Sequence, residues 1–194
     1  MKKILLLEDR PGRQMQYLDP EKIKKLKTTK DLKILLGNDC RYMIDKLNHA
    51  DDSELNDFTL IIIHRSALSN VGIDTVTNHC KVNNKYLVFF SGGISQSLFS
   101  SQSFQYLLLN SKDFYQSNMF NFLDKFIKGE IEHITELIYG NNWKLNLMLN
   151  YRQLLLKGEL GRTEEEFKEN IEKLIGKLPL EELNKKIKTK ITLI

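Results

Sequence analysis

The sequence predicts an α/β fold, an open five-stranded parallel sheet followed by an all-helical C-terminal extension. Three observations carry this. Short apolar runs at residues 4–7, 33–36, 58–63, 86–90 and 106–109 alternate with segments of helical spacing, as parallel strands alternate with crossover helices. The runs are nearly continuous in apolar residues, the pattern of strands covered on both faces. After Lys128 the strand-like runs give way to helical patterns. Two parts are therefore expected, a sheet domain over residues 1–128 and a helical extension over residues 129–194.

The elements follow in order. Residues 4–7 (Ile-Leu-Leu-Leu) end in Glu8-Asp9 and suit a buried parallel strand. Pro11 follows, and residues 13–18 can form a helix behind it. Residues 33–36 form a second strand, bounded by the turn residues Gly37-Asn38-Asp39. Residues 41–47 carry Met43, Ile44 and Leu47 at helical spacing. Residues 58–63 give the strongest strand signal, with Thr59, Ile61, Ile62 and Ile63 all β-branched. Residues 86–90 stop at Ser91-Gly92-Gly93, and residues 106–109 close at Asn110-Ser111. Residues 119–127 then read as an amphipathic helix. Further helices are expected at residues 131–137, at Trp143–Leu156 and after the capping box Thr163-Glu164-Glu165-Glu166. A short helix at residues 180–186 can follow Pro179, and residues 189–194 are open between a strand and a fraying end. Five strands in about 128 residues is flavodoxin-like in size, and ligands of such sheets sit beyond the carboxyl ends of the strands.

Composition bounds the class. The chain has 194 residues, 41% hydrophobic and 28% charged, which is ordinary for a globular protein with its own core. Only Cys40 and Cys80 occur, so a disulfide scaffold is not expected, and two buried thiols in a reducing cytoplasm are. No apolar stretch reaches the roughly 18 residues of a membrane span. The net charge of +4 lies wholly in residues 1–128, which hold 18 basic and 14 acidic residues. Much of it comes from Lys22, Lys24, Lys25, Lys27, Lys30 and Lys33, read as a solvated face. The extension is neutral, so nucleic acid is not the expected partner. Residues 91–111 carry no charged side chain, and Phe99, Phe104 and Tyr106 would suit a protein contact there.

Chemistry is sought at the strand ends. The first strand ends in Glu8 and Asp9. The third ends in His64, with Arg65 and Ser66 next. The fourth ends in Ser91, and the fifth in Asn110, with Lys112 two residues on. Arg65 or Lys112 would satisfy the acidic pair. The motifs I-L-L-L-E-D-R-P at 4–11, D-F-T-L-I-I-I-H at 57–64, Y-L-V-F-F-S-G-G at 86–93 and Y-L-L-L-N-S at 106–111 together resemble the receiver domain of bacterial response regulators. The resemblance covers about residues 1–128. It implies that Glu8 and Asp9 hold Mg²⁺ and that Ser91 senses a phosphoryl group. The chain departs from the pattern at two places. His64 stands where the family has its acceptor aspartate, and the family's lysine is replaced by Asn110 or shifted to Lys112. Mg²⁺ takes hard oxygen ligands in near-octahedral geometry, and imidazole is a poor substitute. The expectation is a degenerate receiver pocket, with at most a weak Mg²⁺ site at Glu8 and Asp9 and no other cofactor.

The function expected is a non-catalytic signalling module, a pseudo-receiver acting through protein–protein contacts. Its partner, or a second copy, would dock on the helical extension or on the uncharged segment 91–111. The alternative is a phosphorylation-responsive receiver with a displaced acceptor such as His64. A nucleophilic set of Ser91, His64 and Asp9 is weaker, because no G-x-S-x-G elbow is present. DNA binding by the tail is weaker too, because Trp143–Leu156 has few Lys, Arg or Asn residues on one face. Neither a G-x-G-x-x-G motif nor a P-loop occurs.

Overall fold

Residues 2–94, 98–100 and 106–156 are described by the structure, a computed structural model, together with Glu165, Glu169, Glu172, Lys173 and Lys185. The two strands β1 (Ile4–Glu8) and β3 (Leu60–His64) are buried along their whole length. β2 (Leu32–Leu36) is half-exposed, β4 (Tyr86–Ser91) is buried except at its first residue, and β5 (Leu98–Ser100) and β6 (Tyr106–Asn110) complete the sheet. Strand order is β2-β1-β3-β4-β6-β5. The five strands expected from sequence are all parallel, in the order of flavodoxin-like folds. The short β5 is an addition. It pairs antiparallel with β6 at the sheet edge, in the Ser-rich stretch that lacks a clear helical pattern.

Period-2 alternation divides the core between the two faces of the sheet. Ile4, Leu6, Leu60, Ile62, Val88, Phe90, Leu107 and Leu109 face one side. They meet Leu26 of α2 (Pro20–Thr28), Phe114 and Tyr115 of α5 (Ser111–Gln116), and Phe122 and Phe126 of α6 (Met119–Lys128). Leu5, Leu7, Ile61, Ile63, Leu87 and Phe89 face the other side. They meet Met43 and Leu47 of α3 (Gly37–Asn48), and Val76 of α4 (Asn70–Val82). Each such fully buried side chain stabilises by about 1.5–3 kcal/mol. Cys40 and Cys80 are free, buried in this second layer. Burial pushes both thiols up to about 12. Helix α1 (Gly12–Tyr17) follows β1 through Pro11.

Several elements differ from the sequence expectation. Gly37-Asn38-Asp39 is the first turn of α3 rather than a turn before it, entered at Gly37 with φ of 58°. α2 is a full helix, with Asp19 as its cap and Pro20 at its first position. The lysines at positions 22, 24, 25 and 27 form its exposed side; Lys22 pairs with Asp19 and Lys25 with Asp124. α4 is a helix despite its β-branched residues, because Ser69 caps it and Val76 and Cys80 are buried against the sheet. The helix expected at 131–137 is the single turn α7 (Glu136–Tyr139). Buried Ile134 and Leu137 join the core beside α6, so the first compact unit runs to Gly140, past Lys128.

The second unit, Asn141–Ile194, contains α8 (Trp143–Leu156), as expected. Trp143, Leu147 and Met148 are its buried residues among those described. The capping box from Thr163 lies largely outside the described residues. Residues 189–194 and Phe104 lie outside them, and Lys185 is the one described position in 180–186. No helix among the described residues is long and apolar enough to cross a membrane.

One close approach joins α3 to α4. Asn48 Oδ1 accepts from the backbone N–H and the hydroxyl of Ser69 at 2.8 and 3.0 Å. A Cβ on Gly72 would lie 2.2 Å from that oxygen. Gly72→Ala should therefore lower the urea midpoint, costing about 1–3 kcal/mol by overpacking. Adding Asn48→Ala to Gly72→Ala should cost less than the two single costs together. Strict additivity would show that the contact does not form.

Candidate functional site at the strand ends

β1 and β3 are neighbours in the sheet, and both end in a polar residue. The ladder pairs Ile4 with Leu60 and Leu7 with Ile63. Glu8 and His64 lie one step further, on the same face as Leu6 and Ile62. Both are fully buried. Asp9 lies one residue past the strand and is partly exposed.

Glu8 has three donors. The Arg10 backbone N–H reaches Oε1 at 3.0 Å, and the Arg13 guanidinium reaches the same oxygen at 3.5 Å. The Tyr115 hydroxyl donates to Oε2 at 3.0 Å. α1 supplies Arg13 and α5 supplies Tyr115. Burial raises the Glu8 carboxyl above its ordinary range, against the lowering effect of these donors. Burial beside Glu8 also pushes the Tyr115 hydroxyl upward.

His64 uses both ring nitrogens. Nδ1 bonds Asp9 Oδ1, and Nε2 lies 2.8 Å from Ser66 Oγ. The ring packs at 5.5 Å from Phe90, its partner in the ladder. Burial holds the imidazole below its ordinary value, the Asp9 contact opposing. A neutral ring bonded to a carboxylate at Nδ1 carries its proton there, leaving Nε2 as an acceptor. Ser66 sits in the 3-10 turn Arg65–Ala67 and is exposed. Its Oγ lies 3.4 Å from Ser91 Oγ, which accepts from the Gly93 N–H at 3.4 Å. Ser91 pairs with Asn110 across β4 and β6.

The structure thus brings Glu8, Asp9, His64 and Ser91 to one end of the sheet. Asn110 is there as a helix cap: its Oδ1 accepts from Lys112 N at 2.8 Å, and its Nδ2 donates to the Ile94 carbonyl. Lys112 contributes that backbone N–H. The partners expected for the acidic pair, Arg65 or Lys112, are replaced by Arg10, Arg13, Tyr115 and His64. Arg13 and Tyr115 carry no local sequence signal as site residues. One sits behind a proline turn, and the other is 107 positions from Glu8 in sequence. Ser66 follows His64 at the strand end, and nothing local in the sequence marks its role.

Glu8, Asp9 and His64 each offer a ligand atom, all within 4.8 Å of one another. This set does not fit Mg²⁺. One donor is a ring nitrogen, that nitrogen's neighbour is Asp9, and Glu8 Oε1 already holds two donors. Comparison of the chain with protein-family models, with curated proteins and with solved structures finds no match.

The depressed His64 value makes stability depend on pH. A group whose folded value lies below its unfolded value of 6.5 stabilises fully above 6.5 and loses that contribution as pH falls toward the folded value. Glu8 has the opposite sign: its contribution is present below 4.5 and lost as pH rises through its raised value. The His64 contribution to the urea midpoint should therefore fall as pH drops below about 6.5, with Glu8 opposing it as its carboxyl takes up a proton. His64→Gln should be less stable throughout and decline less steeply. Half-buried His133, also held below its ordinary value, adds slope of the same sign. Equal slopes for the two proteins would show that His64 is not held neutral.

Proposed function

We propose that the chain is a regulatory interaction module. Its receiver-like sheet serves as a scaffold for protein contacts and does not take up a phosphoryl group at the acceptor position. The single observation that carries this is the engagement of both His64 nitrogens, by Asp9 and by Ser66. A ring with no free nitrogen, buried beside Phe90, is not offered to a phosphoryl donor. The same engagement argues against His64 as a displaced acceptor. Glu8, held by Arg10, Arg13 and Tyr115, is likewise committed within the fold.

Two surfaces support docking. α8 has apolar residues on more than one side: Leu145 and Leu149 are half-buried while Trp143, Leu147 and Met148 are buried. A helix apolar on several faces calls for a partner. The uncharged segment 91–111 is the second candidate: among its described residues Gly92 and Gly93 are exposed, and Tyr106 is half-buried, edge-on against Phe89. The partner is a protein or a second copy of the chain, in a cytoplasmic signalling setting of the bacterial receiver type that suits two free thiols.

Exposure to acetyl phosphate or beryllofluoride with Mg²⁺ should leave the chain without a phosphoryl or beryllofluoride adduct by intact mass, and its elution unchanged. A Mg²⁺-dependent adduct in the pocket would contradict the reading. For the docking surface, Leu145→Glu with Leu149→Glu should shift the light-scattering mass of the full chain toward the monomer. Identical masses for variant and parent, both above the monomer, would move the contact off this face of α8.

A further inference from the structure

The polar chain at the strand ends has a direction. Gly93 N–H donates to Ser91 Oγ, so the Ser91 proton is free to point at Ser66 Oγ, 3.4 Å away. Ser66 O–H then faces His64 Nε2 at 2.8 Å, and His64 Nδ1–H faces Asp9. A carboxylate orients a buried imidazole whose far nitrogen meets an exposed hydroxyl. That is the geometry by which a serine is made nucleophilic, and it is defined by roles, not by sequence order. The nucleophile is Ser66, in the turn His64-Arg65-Ser66, rather than Ser91.

We propose that Asp9, His64 and Ser66 form a working relay, with Ser66 as a nucleophile toward activated carboxylic esters. Ser66 Oγ attacks the carbonyl carbon, forming a C–O bond as its proton passes to His64 Nε2. The tetrahedral oxyanion is met by the Ser91 hydroxyl, which is turned toward Ser66. The C–O bond to the leaving group breaks, and the leaving alcohol takes the proton from His64 Nε2. Water then attacks the acyl-Ser66 ester by the same route, releasing the acid and restoring the serine. His64 and Ser66 touch the reacting atoms. Asp9 is a positioning residue, holding the ring in the Nδ1–H tautomer. The low-lying His64 value suits a base that is already neutral near pH 7. This activity does not rest on the docking role.

The probe is a fluorophosphonate applied to the full chain. The Ser66 Oγ–P bond forms, the P–F bond breaks, fluoride leaves and the proton passes to His64. Peptide mapping by mass spectrometry should place one adduct on Ser66, and Ser66→Ala should remove it. His64→Gln should slow labelling by roughly 100-fold or more, the usual contribution of a positioned base. Where that buried variant does not fold, Asp9→Asn at the rim gives the decision. It should slow labelling at least about tenfold through the wrong tautomer, and should change the pH profile as well as the rate. The parent rate should rise with pH along a single ionisation below 6.5. No adduct, an adduct on another residue, or an Asp9→Asn variant with the parent's rate and pH profile would each overturn the relay.

Discussion

The fold depends on what happens where β1 and β3 stop. These two strands are neighbours inside the sheet, buried along their whole length with helices over both faces, and they end in Glu8 and His64 rather than in apolar residues. A buried polar group left without a partner costs about 1–3 kcal/mol, and more when charged. Each partner therefore has to come from elsewhere in the fold. The turn after β1 gives the Arg10 N–H, α1 gives Arg13, α5 gives Tyr115, and the 3-10 turn after β3 gives Ser66. Asp9 closes the set by joining β1 to β3 through His64. The strand ends are held from both sides of the sequence, so the position of α5 is tied to the first ten residues.

This satisfaction also shapes what the site can do. Two carboxylates stand beside the Arg10 and Arg13 side chains, so the pocket is near balance in charge. Burial lowers the imidazole's pKa, which favours the neutral ring, and its Nδ1 faces Asp9. A pocket arranged this way is poor in free oxygen ligands and rich in directed hydrogen bonds. That argues against phosphoryl chemistry on a bound ion. It favours a fixed scaffold that presents one polarised hydroxyl, Ser66, at its rim. The receiver-like appearance of the sequence and the chemistry of the strand ends therefore point in different directions, and His64 is the residue that separates them.

Much of the sheet was legible because its strands are short and apolar, and Thr59-Leu60-Ile61-Ile62-Ile63 admits few other conformations. The strand ends placed Glu8, Asp9, His64 and Ser91 together for the same reason: parallel strands deliver their carboxyl ends to one edge. α4 was not legible, since Val71, Ile73, Thr75, Val76 and Thr77 lower helix propensity, and only tertiary burial of Val76 and Cys80 decides the matter. α2 hid behind its lysines, though Asp19-Pro20 is a sound start signal. The pairing of Glu8 with Tyr115 is a long-range contact set by helix packing, which no local pattern encodes. The turn that brings Ser66 back to Nε2 is one 3-10 step, too short to leave a sequence signature.

The strand ends turn on one state of His64, a neutral ring with its proton on Nδ1, fixed between Asp9 and Ser66. Long-range ¹H–¹⁵N correlation spectra of ring-labelled protein near neutral pH read this directly. The His64 ring should show a protonated pyrrole-type Nδ1 and a bare, hydrogen-bonded Nε2, and Nε2 should change in Ser66→Ala. An imidazolium, or a ring protonated at Nε2, would contradict it.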